Sequence, residues 1–237
     1  MQSIKEPNSC DKFNSAPKQT RKINPTRRSV SGQYAFRGDR AIPFESTLER
    51  DFLVRCEFDL SVLDVIPQPV EVPFTDSNGG KYIYTPDFLV YYHLGTGSHV
   101  NYPKPLLIEV KPTEQWRSHW RKWLPKWKAA LRYAKFQGWG FHIYDESRIR
   151  DISFKNIRFL DRYRRMNVDQ EERDQLIICI QEMGSCSIEY LLARYFSGIY
   201  KDRGLALIWH LLSVRKLECD ISIPLNVSTE LWVPEHG

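Results

Sequence analysis

Tyr84-Thr85-Pro86-Asp87-Phe88-Leu89-Val90 and Leu106-Leu107-Ile108-Glu109-Val110-Lys111 are the two stretches on which the reading of this chain turns. Each is a run of apolar, β-favouring residues interrupted by charge, and charge within an otherwise buried strand needs a partner or a chemical task. Glu109 and Lys111 are two residues apart and therefore share one face of their strand, while Ile108 and Val110 share the other. If the Asp87 run pairs beside this strand, one carboxylate from each meets one ammonium. Adjacent strands lie about 4.8 Å apart, so such carboxylates can grip a Mg²⁺ ion at about 2.1 Å, with the Val110 carbonyl as a further ligand and Mn²⁺ as an alternative ion. Lys111 would orient the attacking water or stabilise phosphoryl charge. The plain alternative is a cross-strand ion pair on a solvated face, with Asp87 an ordinary turn residue after Pro86.

Upstream, the hairpin signal Asp76-Ser77-Asn78-Gly79-Gly80 separates β-type runs at Val70–Phe74 and Tyr82–Tyr92, which should pair antiparallel. Another short run spans Val62–Ile66. Before it, Leu48, Phe52, Leu53 and Cys56 fall at helical spacing behind the capping-box pattern Ser46-Thr47-Leu48-Glu49. In that pattern Glu49 reaches back to the Ser46 backbone N–H. From the first helical turn it could also face the site and help hold a metal through water, with Glu45 as the rival carboxylate.

Downstream, Gly95, Gly97, Pro103 and Pro105 mark a loop before the Glu109 strand. Trp116, Trp120, Trp123 and Trp127 then fall on one helical stripe, interleaved with Arg117, Arg121, Lys122, Lys126 and Lys128. The stripe reads as core rather than as a base-stacking platform, and the cations as candidates for phosphate contact. Pro125 is expected to break the run and start a second helix ending at Gly138. Gly140–Tyr144 reads as another buried strand, which gives an α/β order with a helical crossover. From Asp169, helices at Glu171–Met183, Ser187–Tyr195 and Lys201–Val214 precede a hairpin of Leu217–Ile223 and Thr229–Val233, the order of a winged helix.

Charge is unevenly spread. Lys and Arg against Asp and Glu count nine to three over residues 1–40, five to ten over 41–111, fourteen to five over 112–165 and six to eleven over 166–237. An acidic, metal-suited segment between basic ones fits an enzyme acting on nucleic acid, although chance clustering on a solvated surface gives the same totals. The acidic C-terminal part suits protein docking better than DNA. Residues 1–40 read as a mobile basic arm, whose Arg21, Lys22, Arg27 and Arg28 would lie on DNA phosphates or dock on a protein. Residues 41–165 form the catalytic domain of this division and 166–237 the docking domain.

No apolar run approaches a membrane span, and no secretory signal opens the chain, so a soluble, cytoplasmic protein is expected. The cysteines at 10, 56, 179, 186 and 219 lack a C-x-x-C pair, which argues for reduced thiols over zinc or disulfides. P-loop, G-x-S-x-G and H-E-x-x-H motifs are absent from the sequence.

The P-D and later E-x-K pattern resembles the PD-(D/E)xK nucleases, and more closely the TnsA endonuclease family of heteromeric cut-and-paste transposons. The resemblance covers the basic arm, Phe44 to Leu53, Tyr84 to Val90, Ile108-Glu109-Val110-Lys111-Pro112 and a helical C-terminal domain. It implies a restriction-endonuclease-like mixed sheet flanked by helices, with catalytic residues at Glu49, Asp87 and Lys111 and a carboxylate at Glu109 where the family also accepts Gln. It further implies cleavage of the 5′ ends of transposon DNA beside a TnsB-like transposase and a TnsC-like AAA+ ATPase. An inactive DNA-binding adaptor and a stand-alone restriction or repair nuclease are the rival functions.

Overall fold

The computed structural model describes residues 17–20, 30–94 and 102–234. The chain divides into two compact units, residues 1–145 and 146–237. The division falls after Asp145, twenty residues before the expected boundary, because the helix at Ile152–Leu160 packs on the last helix of the C-terminal unit.

In the first unit, β1 (Gly32–Phe36) and β2 (Arg40–Phe44) form an antiparallel hairpin. A regular strand therefore lies within the segment expected to be a mobile arm. Thr20 is also fixed: its N–H and hydroxyl both donate to the Gln68 carbonyl, at 3.0 and 2.9 Å. Arg21, Lys22, Arg27 and Arg28 lie outside the described residues.

Helix α1 (Thr47–Phe58) starts at the Ser46 cap, whose hydroxyl accepts from the Glu49 N–H. It is followed by β3 (Val62–Pro67), β4 (Val72–Thr75), β5 (Lys81–Tyr84), β6 (Phe88–Tyr92), β7 (Leu106–Val110), α2 (Thr113–Phe136) and β8 (Gly140–Tyr144). β4 and β5 form the hairpin that the Asn-Gly-Gly turn announces. The run Tyr82–Tyr92 is two strands rather than one. It breaks at Thr85-Pro86-Asp87, where Pro86 lacks the donor a continuous ladder requires. The main sheet has the order β3-β6-β7-β8, antiparallel except for the β7–β8 pair that α2 connects. Phe88 lies opposite Ile108 in this sheet, so the Asp87 and Glu109 stretches are neighbours, as the reading of those runs required.

Helix α2 runs unbroken through Pro125, against expectation. A proline there removes one helical hydrogen bond and costs about 3 kcal/mol in an unsupported helix. Packing on both flanks supports it here. Trp127, Ala129, Ala130 and Ala134 are buried against Val72, Tyr84, Leu89 and Leu107, and Trp123 meets Trp127 edge to face at 5.7 Å. The tryptophan stripe is a gradient: Trp127 is in the core, Trp116 and Trp123 are half-buried and Trp120 is exposed.

The second unit contains α3 (Glu146–Ile149), α4 (Ile152–Leu160), α5 (Gln170–Met183), β9 (Ser185–Ser187), α6 (Ile188–Tyr195), α7 (Lys201–Ser213) and β10 (Glu230–Trp232). The three expected helices are present as α5, α6 and α7. The expected hairpin shrinks to one bridge between Glu218 and Trp232, and β10 instead pairs antiparallel with β9. The intervening chain makes local turns about Asp220 and Asn226, whose side chains accept from Ser222 N–H and Ser228 N–H. No helix among the described residues is long and apolar enough to cross a membrane.

Candidate active site

Asp87 enters the site from the break between β5 and β6. Its backbone carbonyl accepts from the Gln68 N–H at 2.8 Å and its Oδ2 accepts from the Val110 N–H at 2.7 Å. The aspartate is thus pinned to both neighbouring segments. Gln68 is buried and holds a left-handed backbone (φ 45°), a conformation disfavoured for a residue with a Cβ and frequent at functional sites. Nothing in the sequence around Gln68 signalled that position.

Glu109 comes from β7 and is 1% exposed, and both of its oxygens are engaged. Oε2 accepts from the Tyr84 hydroxyl at 2.5 Å, while Oε1 lies 3.1 Å from Lys126 Nζ and 3.4 Å from Lys111 Nζ. Lys111 Nζ also stands 3.6 Å from Asp87 Oδ2, so this one ammonium bridges the two carboxylates. Among the described residues, Asp87 Oδ1 accepts no hydrogen bond.

Glu49 is placed by the packing of its own helix. Phe52 lies one turn on, stacked against Phe88 at 5.3 Å, and an i, i+3 pair shares a helix face, so α1 presents Glu49 toward the Asp87 strand. Its oxygens bind at the helix cap: Oε2 accepts from the Glu45 N–H at 2.7 Å and Oε1 from the Ser46 hydroxyl at 2.9 Å. The carboxylate reaches one residue further back than the expected Ser46 N–H. Glu49 acts on the centre as a nearby charge.

The electrostatics follow from these placements. Burial raises the Asp87 carboxyl well above the ordinary range, and the Glu109 charge raises it further against the pull of Lys111. Burial also pushes Glu109 up, but Lys111, Lys126 and the Tyr84 hydroxyl outweigh it, and its carboxyl is held below the usual value. Burial raises Glu49 as well, against its cap hydrogen bonds and Lys111. For Lys111, burial favours the neutral amine, yet Asp87, Glu109 and Glu49 more than reverse this, so the side chain stays an ammonium.

Lys126 departs most from its expected place. By sequence it belongs with the candidate phosphate-facing cations, but its ammonium is turned inward, 4.6 Å from the Tyr84 ring and 5.0 Å from that of Trp123, on Glu109. Arg117, Arg121, Lys122 and Lys128 lie on the exposed side of α2, as expected. Arg117 and Arg121 rest on the rings of Trp116 and Trp120, at 5.7 and 5.3 Å. In the sequence Tyr84 reads only as an apolar, β-favouring residue. Its hydroxyl role depends on β5 packing beneath α2, which residue spacing does not reveal.

Tyr84→Phe leaves Glu109 Oε2 buried without its donor. A lost hydrogen bond to a charged group contributes about 1.5–3 kcal/mol, so the variant should unfold at lower urea than wild type, with an unchanged m-value.

No group of three or more His, Cys, Asp or Glu side chains among the described residues is placed to hold a metal ion. The set Asp87, Glu109 and Glu49 is therefore not assembled as a three-carboxylate cage. What remains suits a hard cation that keeps most of its waters and takes one or two carboxylates. Asp87 has an unengaged oxygen, and its repulsion with Glu109 is the kind a divalent ion relieves.

No curated protein matches the chain. Residues 59–146 match the model of the TnsA-like endonuclease N-terminal domain, which spans Asp87, Glu109 and Lys111 and begins after Glu49. Residues 148–221 match the model of the TnsA endonuclease C-terminal domain, which lies within the second compact unit. With both domains in sequence, and with two carboxylates and a bridging lysine at the ends of adjacent strands β6 and β7 in the first, the chain belongs to the TnsA endonucleases, nucleases associated with transposons.

Proposed function

We propose that this protein is a Mg²⁺-dependent endonuclease that cuts the 5′ ends of a transposon, on the strand not joined to the target. It would act beside a TnsB-like transposase and a TnsC-like AAA+ ATPase in the cytoplasm. The observation that carries the reading is Lys111 standing between Asp87 and Glu109, with its ammonium 3.6 and 3.4 Å from their oxygens.

Asp87 and Glu109, with the Val110 carbonyl, would hold the ion, and Glu49 would add negative charge nearby. Mn²⁺ would suit the same oxygen donors. Held there, Mg²⁺ would supply polarisation of the phosphate and a lowered pKa for water. Lys111 remains protonated because the surrounding carboxylates stabilise its charge. It therefore acts as a cation toward charge developing on the phosphoryl oxygens, not as a proton acceptor. The Val110 N–H and the Gln68 segment fix Asp87, which keeps the carboxylates in register with the lysine.

The exposed Arg117, Arg121, Lys122 and Lys128 on α2 would contact DNA phosphates, joined by Arg21, Lys22, Arg27 and Arg28 from the N-terminal segment. Residues 166–237, read as a winged-helix-like domain, would dock protein partners. Over the whole second unit, residues 146–237, 13 Lys and Arg nearly balance 14 Asp and Glu. The acidic character belongs to its later part alone.

The test is strand mapping of transposon-end DNA incubated with purified protein, transposase and regulator. New 5′-end breaks that require this protein and Mg²⁺ are expected. Breaks at the 3′ ends only would overturn the strand assignment, and full site-specific cutting without partners would favour a stand-alone nuclease.

A further inference from the structure

The metal centre proposed above and the inward Lys126 compete for the same oxygen. Glu109 has no unengaged oxygen: Tyr84 holds Oε2, and Lys126 and Lys111 share Oε1 at 3.1 and 3.4 Å. A cation that enters at the unengaged Asp87 Oδ1 and bridges to Glu109 Oε1 competes with these ammoniums for that oxygen. Lys111 touches both carboxylates and loses two partners if it leaves. Among the described residues Lys126 pairs with one carboxylate, Glu109, and sits among aromatic faces, with its ring partners Tyr84, Trp123 and Trp127 at 4.6, 5.0 and 5.8 Å. Four residues earlier on the same helix, and thus beside it, is the exposed Lys122.

Resting on the nuclease reading, we propose that Lys126 is a displaceable internal cation: it neutralises Glu109 in the metal-free protein and swings out to a DNA phosphate when a divalent ion takes Glu109 Oε1. This makes Lys126 a positioning residue that links metal binding to DNA binding. It also accounts for a lysine that belongs by sequence to the basic face of α2 but lies inside the carboxylate cluster. Metal loading and DNA contact then favour each other, as two ligands of one two-position side chain must.

Two measurements on the full chain test this. The first is Tb³⁺ luminescence, which reports a hard trivalent probe of oxygen sites and is sensitised by nearby Tyr84, Trp123 and Trp127. Removing a cation that competes for a ligand oxygen should tighten binding, so Lys126→Met is expected to bind Tb³⁺ ~10-fold more tightly than wild type, with Mg²⁺ competing in both. The second is the salt dependence of binding to a 30-base-pair duplex. In Ca²⁺ the wild-type slope should exceed the Lys126→Met slope by about one phosphate contact, and in EDTA the two should coincide.

Equal or weaker Tb³⁺ binding by Lys126→Met overturns the inference, and so do slopes that differ equally with and without Ca²⁺. Lys126→Gln serves as the second variant. If neither variant folds, the proposal also fails, because a contact that must be released cannot be one the fold depends on. Absence of Tb³⁺ binding by wild type, alone and with the duplex, overturns the metal-dependent nuclease reading itself. Wild-type binding without the lysine effect overturns only the role of Lys126.

Discussion

Lys111→Ala is expected to lower strand cleavage by ~10³-fold or more, the scale of losing a positioned charge-stabilising group, and to destabilise the fold by about 3 kcal/mol at neutral pH. The lysine is the only group within salt-bridge distance of both Asp87 and Glu109 among the described residues. Without it the two buried carboxylates face each other, with Lys126 alone as counter-charge to Glu109. Both carboxyls then shift upward, and the folded state binds protons that the unfolded state does not. Stability of the variant therefore rises as pH falls through the shifted folded pKa values toward the unfolded values near 4. Wild type behaves oppositely for Glu109, whose lowered carboxyl contributes stability at neutral pH that is lost as pH falls through its folded value. Urea unfolding at pH 7.5 and 5.5 should show the deficit of Lys111→Ala narrowing at the lower pH. A deficit independent of pH would mean that the lysine supports the fold through packing alone.

Asp87→Asn should separate stability from activity. The Asp87 carboxyl is raised by burial and by Glu109, so its charged form is less favourable in the fold than in the unfolded chain. A neutral side chain of the same shape still accepts from the Val110 N–H and removes that repulsion. The variant is expected to be more stable at neutral pH by ~0.5–2 kcal/mol, in keeping with the trade between stability and charged active sites. The sign follows from linkage. The destabilising charge is present above the folded pKa of Asp87 and disappears as pH falls, so the gain from Asn should be largest at pH 7–8 and vanish toward about pH 4. Cleavage should fall by ~10³-fold or more, because the variant loses the carboxylate proposed to hold the ion. Thermal melts across pH measure the first effect. A destabilised Asp87→Asn at neutral pH would show that the aspartate is a structural ion-pair partner.

Much of this site was legible in the sequence because the period of a strand is short. The two-residue spacing of Glu109 and Lys111 fixes them on one face whatever surrounds them, and the Asn-Gly-Gly turn fixes the β4–β5 hairpin locally. Phe88 opposite Ile108 then follows from pairing neighbouring strands. What escaped was set by long-range packing. Pro125 reads as a helix breaker, and only burial of Trp127, Ala130 and Ala134 against β4 and β5 shows why α2 continues through it. Lys126 and Lys128 are equivalent by composition, yet one is inside and the other outside because the helix presents them to different surroundings. The β9–β10 pair joins residues more than forty apart, with three residues in each strand, too few for alternation to register. Glu49 supported two roles in the sequence. Its cap hydrogen bonds engage both oxygens, and its effect on Asp87 and Lys111 is exerted through charge.

Asp87, Glu109 and Lys111 are proposed above as the centre that hydrolyses DNA. Its most direct test is single-turnover cleavage of transposon-end DNA with transposase and regulator, comparing wild type with folded Asp87→Asn in Mg²⁺ and in EDTA. Cutting of the 5′ ends by wild type in Mg²⁺ alone, with none by Asp87→Asn at equal DNA occupancy, is the predicted result. Equal cutting by wild type and Asp87→Asn would contradict it.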